Sequence, residues 1–384
     1  MVKNMLRVVA IGDPHIQVSN LQDVDAFLVS LQNVLESAQP DMIVCLGDVL
    51  HSHERLNTHA LNKAVELFRL LREFANVYIL VGNHDYIQNQ QFLSENHWMN
   101  VLHEWEDIVV VDKVITQELK GSQITFCPYV PNGRFKDALS TSIGWERSDV
   151  IFAHQEFLGC KMGGIISESG DNWETECPLV VSGHIHEKQW LGQNIYYTGV
   201  PMQHSFGDSS DTSLALVLVE QNSTTKVVEI PIGIAPKLNL TCNSLTEFES
   251  INEEYLNRNL RLVFKGSPEE IKVIRLTSKY KEYVQKGVKV VFRSTRIRSD
   301  VPQSSGERMD LRVVLHDLIH AENPEISARM NDTLRNINSI KPLKSRFLKE
   351  SNINFILAEF CQNTDKDRSE KYYIRANEIV ASLQ

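Results

Sequence analysis

The chain has 384 residues, too many for one simple core, so one large domain with one or two smaller ones is expected. A hydrophobic content of 42% can fill a substantial core, while a net charge of −10 excludes polyanion binding by the surface at large and confines any such contact to a local patch. The six cysteines are scattered with no C-x-x-C pair, which fits reduced thiols in a cytosol-like compartment, and the early apolar run Leu6 to Ile11 is far too short for a signal peptide or a membrane span.

Residues 1–235 alternate short apolar runs with amphipathic stretches. The runs LRVVAI, MIVCL, VYILV, DVIF and PLVV predict buried strands, and residues 22–38 and 58–75 have helical spacing, as in Leu61, Val65, Phe68 and Leu71. From Asp149 onward strand patterns dominate, at 149–153, 178–182, 194–198, 213–219 and 225–230. This predicts an α/β domain with a layered, mixed β-sheet core flanked by helices. Residues 236–300 predict a small α+β module, with strands at 259–264 and 287–293 around a helix starting near Pro268. The turn-rich segment 301–307 reads as a linker, and 301–384 as a whole predicts a helical segment with Leu311, Val314, Leu315 and Leu318 on one face.

Five polar motifs each follow one of the apolar runs: Asp13-Pro14-His15, Gly47-Asp48, Gly82-Asn83-His84-Asp85, Ala153-His154 and Gly183-His184-Ile185-His186. Strand ends are where open sheets hold ligands. Any one motif alone reads as a turn, a cap or a satisfied core histidine. All five in order, offering carboxylates, imidazoles and one amide but no thiol, read as ligands for hard or borderline divalent metals, with enough donors for two ions. Strand alternation would let Asp13 and His15 grip one metal together, and His184 and His186 repeat that spacing. Asp48 can bridge two metals through its two oxygens, Asn83 offers an amide oxygen, and His154 a further imidazole. His84 is left over, placed to protonate a leaving oxygen or to stabilise charge on a phosphate, with Asp85 expected to hold its tautomer.

This constellation resembles the calcineurin-like metallophosphoesterase superfamily, whose pattern is D-x-H, G-D, G-N-H-D/E, H and G-H-x-H. The resemblance covers roughly residues 6–210. It implies that Asp13, His15, Asp48 and His186 hold one metal, that Asn83, His154 and His184 hold the other with Asp48 shared, and that His84 is catalytic. Further details are similar to SbcD-type DNA double-strand-break nucleases: Gly47-Asp48-Val49-Leu50-His51, where the extra His51 would lie near the substrate strand; His154 followed by Gly159; and Tyr197-Thr198-Gly199-Val200-Pro201 with Ser205-Phe206-Gly207-Asp208. The chain departs from that family at Ile16-Gln17, Val200 and Asp208, where leucine-glycine, serine and glutamate are usual. A divergent member from a phage or large virus is the expectation.

The resemblance implies a DNA exonuclease and endonuclease dependent on two Mn²⁺ (Mg²⁺ as the alternative ion), working as a homodimer with an SMC-like ATPase that binds the helical segment, and with no membrane partner. The alternatives are a calcineurin-like enzyme for small phosphodiesters or phosphoproteins, and a non-enzymatic scaffold whose metal site serves binding. The stretch from Lys279 to Arg298 carries Lys279, Lys281, Lys286, Lys289, Arg293, Arg296 and Arg298 against Glu282 alone, and reads either as a phosphate-backbone contact or as a solvated face. Tyr280, Tyr283 and Phe292 within it are expected in the core. The apolar stretches 58–75 and 90–105 either pack on the sheet or form a homodimer helix bundle. His204 is a candidate to reach the site; His97 and His103 carry no motif, and His316 and His320 read as ordinary helix residues.

Overall fold

The structure, a computed structural model, describes residues 5–53, 55–88, 90–220 and 224–295. The linker and helical segment of 301–384, with His316 and His320, therefore lie outside the described residues, as do Arg296 and Arg298.

Strands β1 (Met5–Ile11), β2 (Met42–Cys45), β3 (Asn76–Leu80) and β4 (Ile108–Val111) come first, with helices α1 (Leu21–Ala38) and α2 (Thr58–Arg72) between them. Then follow β5 (Ile115–Leu119), β6 (Ser122–Cys127), short α3 (Phe135–Leu139) and β7 (Val150–Ala153). A small hairpin, β8 (Lys161–Met162) and β9 (Ile165–Ile166), precedes β10 (Val180–Ser182), β11 (Gln189–Leu191), β12 (Ile195–Tyr197), β13 (Ser213–Glu220) and β14 (Lys226–Pro231).

These strands form two six-stranded sheets, ordered β14-β13-β1-β2-β3-β4 and β11-β12-β10-β7-β6-β5. Within the first, β1 to β4 are parallel; within the second, β12, β10, β7 and β6 are parallel. Antiparallel strands complete the edges. Alternation along β1 shows how the layers are built. Leu6, Val8 and Ala10 face the second sheet, packing with Phe126, Phe152, Val181 and Tyr196. Val9 and Ile11 face the other way, onto Phe27, Leu31 and Leu35 of α1 and Leu67, Phe68 and Leu71 of α2. Both faces of each parallel strand are thus buried, as βαβ connections require. The expected layered α/β core is what the chain forms.

The apolar faces of 58–75 and 90–105 lie against the first sheet: Ala64, Leu67 and Phe68 of α2, and Met99 and Leu102 of a short 3-10 helix, Trp98–Glu104, are buried there. Only Trp98–Glu104 of the second stretch is helical.

The following module holds β15 (Leu238–Cys242), α4 (Leu245–Glu249), β16 (Leu260–Gly266), α5 (Pro268–Leu276), α6 (Ser278–Gln285) and β17 (Lys289–Ser294). Its three strands are parallel, with β16 central. The capping box of Ser267 and Glu270, with Pro268 in the first turn, starts α5 where the sequence predicts it. Tyr283 is fully buried and donates its hydroxyl to the Phe248 carbonyl at 2.9 Å, so it is core as expected; Tyr280 and Phe292 are half-buried and pack against that core.

A buried carboxylate pins this module to the main core. Asp23, in the first turn of α1, accepts from Lys237 Nζ at 3.0 Å and from Arg258 Nη1. The change Asp23→Ala is expected to cost about 1–3 kcal/mol, below the range for breaking a fully buried pair because Arg258 is 42% exposed. Amide exchange should accelerate in β15 and β16 while staying slow in β1 to β3. Unchanged exchange in β15 and β16 would show that the module is held some other way.

Candidate metal centre

Each predicted motif sits directly after the strand it was expected to follow. β1, β2 and β3 deliver Asp13, Asp48 and the Gly82–Asp85 turn; β7 and β10 deliver His154 and the Gly183–His186 turn. His154 joins the two sheets, because its Nδ1–H donates to the Leu46 carbonyl at 2.7 Å. All the carriers are parallel strands, so their C-terminal ends share one edge.

Strand alternation does not place the ligands. The strands end at Ile11, Cys45 and Ser182, and the chain then enters left-handed turns, with φ of +43° at His15, +48° at Asp48 and +74° at His184. Such φ values are uncommon for side-chain-bearing residues and cluster at functional sites. Gly47 (φ +111°) needs its missing side chain twice over, since a Cβ there would also lie 2.7 Å from His154 Nδ1.

Two donor clusters result. His15 Nε2 and His186 Nε2 lie 3.0 Å apart, with Asp13 completing that group. His154 Nε2 and His184 Nδ1 lie 3.3 Å apart, and Asn83 Oδ1 is 2.9 Å from the first and 2.8 Å from the second. Asp48 stands between the groups, with Oδ2 3.5 Å from His15 Nε2 and Oδ1 3.4 Å from His154 Nε2. The site thus brings together Asp13, His15, Asp48, Asn83, His154, His184 and His186.

Two observations fit cations to these residues. First, both oxygens of the fully buried Asp13 carboxylate lack a hydrogen-bond partner. A buried, unpaired carboxylate is costly unless paired or bound to metal. Second, because the Nδ1 proton of His154 goes to Leu46, its Nε2, once deprotonated, offers a lone pair toward the Asn83 and Asp48 oxygens. Acceptors face acceptors there, and a cation between them satisfies all three.

The electrostatics agree. Burial, reinforced by the nearby Asp48 charge, raises Asp13 to about 7 even though His154 opposes it. Burial works against the charged form of Asp48 as well, but the His154 imidazole holds it well below the usual carboxylate range. Burial would lower His154; the charges of Asp48 and Asp13 overcome this and push it to about 9. Burial and then the charge of His154 bring His184 down to about 4, and burial also lowers His15 and His186. Protons on Asp13 and His154 thus do part of what a divalent cation would do.

His84 lies at the rim. Its ring centroid is 4.8 Å from that of His15, its backbone N–H donates to Asp48 Oδ1 at 2.8 Å, and its Nδ1–H donates to the His51 carbonyl at 2.7 Å. Asp85 does not hold the His84 ring as expected. It is buried and accepts from Gly82 N at 3.1 Å, Val49 N at 3.4 Å, Leu50 N at 3.5 Å and Trp98 Nε1 at 2.9 Å. The tight turn aims its carboxylate back at backbone donors, so it fixes the Gly82–Asp85 turn against the β2 loop. His51 is exposed, with its ring 5.5 Å from that of His84.

Three further residues join the site. His53 stacks on His84 at 4.3 Å between ring centroids. His204 is 5.0 Å from the His15 ring and donates from Nε2 to the Asp13 carbonyl at 3.0 Å. Tyr129 lies 5.5 Å from the His184 ring. Only His204 carried a prior signal, its place just before Ser205-Phe206.

The matches to known proteins accord with this geometry. The model of the calcineurin-like phosphoesterase family matches residues 6–188. "Putative phosphoesterase 078R" of Invertebrate iridescent virus 3 is 39% identical over 321 residues, 81% of this chain and 92% of the viral protein. The chain belongs to the calcineurin-like phosphoesterases. "Putative phosphoesterase 244L" of Invertebrate iridescent virus 6 is 40% identical over 279 residues, 70% of this chain and 97% of that protein. Among solved structures, a purple acid phosphatase from yellow lupin seeds is similar at a TM-score of 0.37 and 9% identity, covering 59% of this chain and 53% of that one. This calcineurin-like phosphoesterase is a hydrolase with a metal-binding site. Among the described residues no helix is long and apolar enough to cross a membrane.

Metal ligands must be deprotonated, so cation binding should displace the protons that Asp13 and His154 hold. Apparent Mn²⁺ affinity is expected to rise as pH climbs through the span from about 7 to about 9, and to fall below it. Calorimetry in buffers of different ionisation enthalpy should show proton release near neutral pH. Binding without proton release, at an affinity independent of pH, would contradict this.

Proposed function

We propose that this protein is a two-metal DNA phosphodiesterase, the nuclease subunit of an SbcCD-like recombination and double-strand-break repair complex. The observation that carries the choice of substrate is a groove of about 690 Å³ between the main core and the 236–300 module, lined in part by His204, Phe206, Lys237, Arg258, Arg261 and Lys289. Its lining reaches the rim of the metal centre through His204, which donates to the Asp13 carbonyl at 3.0 Å. Lys237 and Arg258 share the one acid in its lining, Asp23, while Arg261 lies 5.1 Å over the Phe206 ring and Lys289 forms no ion pair among the described residues. A cationic track running from the reaction centre fits a phosphate backbone.

The same reading relocates the expected basic contact. Lys279 and Lys286 pair with Glu282 on the surface, whereas Lys289 at the start of β17 lines the groove.

Asp13, His15, Asp48 and His186 would hold one cation; Asn83, His154 and His184 would hold the other, with Asp48 shared. Bound there, Mn²⁺ or Mg²⁺ supplies charge opposite the phosphate and a water of lowered pKa, and the many imidazoles favour Mn²⁺. His84, locked by the His51 carbonyl, presents Nε2 to the substrate, placed to deliver a proton to the leaving oxygen or to neutralise phosphate charge. His51 and His53 stand beside it to meet the neighbouring stretch of strand. Asp85 acts by positioning the turn that carries Asn83 and His84. A homodimer, and an SMC-like ATPase bound through 301–384, complete the proposal; the order of segments in the sequence supports these partners.

Purified protein with Mn²⁺ is expected to cleave linear duplex DNA in strong preference to a cyclic nucleotide or a phosphopeptide; the opposite preference would replace this reading with the small-substrate one. His84→Ala should lower turnover roughly 10²–10⁴-fold while metal and DNA still bind. Loss of metal from that variant would make His84 a ligand instead. Replacing Arg261 and Lys289 with Ala should weaken DNA binding alike for all sequences and reduce the salt slope of log K by roughly 0.9 per lost phosphate contact. An unchanged slope would place the DNA elsewhere.

A further inference from the structure

A second cluster of ligand-type side chains lies apart from the catalytic donors, linked to the Gly82–Asp85 turn through Trp98 and Tyr86. His97 caps the 3-10 helix Trp98–Glu104, His103 sits in the last turn of that helix, and Asp112 follows β4 directly. Both imidazoles aim Nε2 at the same oxygen: Asp112 Oδ2 is 3.5 Å from His97 and 3.3 Å from His103, and all three ligand atoms lie within 4.8 Å of one another.

These separations are long for hydrogen bonds between imidazole and carboxylate, which close to about 2.7–2.9 Å when charge-assisted. They match the spacing of ligands around a common ion. Tetrahedral Zn²⁺, with bonds of about 2.0–2.1 Å, sets neighbouring donor atoms roughly 3.3–3.4 Å apart. The catalytic centre shows the same signature, with carboxylate-to-imidazole separations of 3.5 and 3.4 Å at Asp48. The His97 side chain is wholly buried, yet its Nδ1 has no partner and its Nε2 has only the long contact to Asp112. A ring so buried and so poorly satisfied gains most from a strong bond at Nε2.

We infer that His97, His103 and Asp112 form a third metal site that takes a borderline divalent cation of the Zn²⁺ class. Two imidazole nitrogens and one carboxylate oxygen suit Zn²⁺, with water as fourth ligand on the side where His103 is 45% exposed. The ion would hold the 98–104 helix to the end of β4. Trp98 in that helix donates to Asp85, and His97 bridges to Tyr86, so the clamp supports the turn that carries Asn83 and His84 from behind. The role is positional, since none of the three residues reaches the catalytic donors.

Metal content separates this site from the catalytic pair. Full-length protein equilibrated with Zn²⁺ and then titrated with a chelator is expected to release one equivalent per chain beyond the pair. His103→Ala, a change at a half-exposed side chain, should lose that equivalent and retain the others. With Co²⁺ in place of Zn²⁺, the visible absorption of a four-coordinate ion should diminish in the variant, and Zn²⁺ should raise the melting temperature of the wild type more than that of the variant. Asp112→Asn is the second variant, expected to behave as His103→Ala does. Equal metal content in wild type and variants would overturn the inference and leave an ion-pair network. A wild-type titration releasing only the catalytic pair would overturn it too, whether or not the variants fold.

Discussion

The structure is organised around a charge problem. Asp13, Asp48 and Asp85 are all buried where five strand ends meet, in a place water does not reach to screen them. Each is compensated differently. Asp85 is surrounded by backbone N–H groups and the Trp98 indole, which oppose only in part the burial and Asp48 charge that raise it to about 7. Asp48 draws on imidazoles from both donor clusters. Asp13 has no close hydrogen-bond partner for either oxygen and only the His154 imidazole 3.6 Å away, so a cation or a proton relieves it best. The tightly packed sheets hold these groups together against their repulsion, which is why every ligand is anchored at the end of a buried parallel strand.

Much of this was readable in the sequence, for a physical reason. A doubly covered parallel strand must be a short apolar run, so LRVVAI or VYILV can be recognised, and a polar residue directly after such a run lies at the sheet edge. What could not be read was the backbone path beyond the strand. His15, Asp48 and His184 lie in left-handed turns, where alternation no longer predicts direction. The same local geometry turned Asp85 away from His84 and toward the β2 loop. His53 and Tyr129 reach the site by tertiary packing that no local pattern encodes. In the second module, β15 carries no sequence signal because LNLTC is a mostly exposed edge strand with no apolar run, and its parallel pairing with β16 depends on the crossover through α4.

On the proposed function, charge distribution links fold to substrate. The chain is acidic overall, yet the groove leaving the metal centre holds four cations against Asp23. That single carboxylate does two things at once: it fastens the 236–300 module to α1, and it orders Lys237 and Arg258 along the track. Lys289, with no ion pair among the described residues, stays available to a ligand, while Arg261 is held in the same lining by Asn239 and the Phe206 ring. The mixture of a buried anionic centre and a cationic approach suits a polyanion that must be brought to metal ions.

The central claim is that Asp48 stands between two cations, each held by ligands from both sheets. Anomalous diffraction from crystals of the protein grown with Mn²⁺ tests it most directly. Two peaks are predicted, about 3.5–4 Å apart, one on each side of the Asp48 carboxylate. A single peak at full occupancy, or a pair in which Asp48 touches only one ion, would contradict the account.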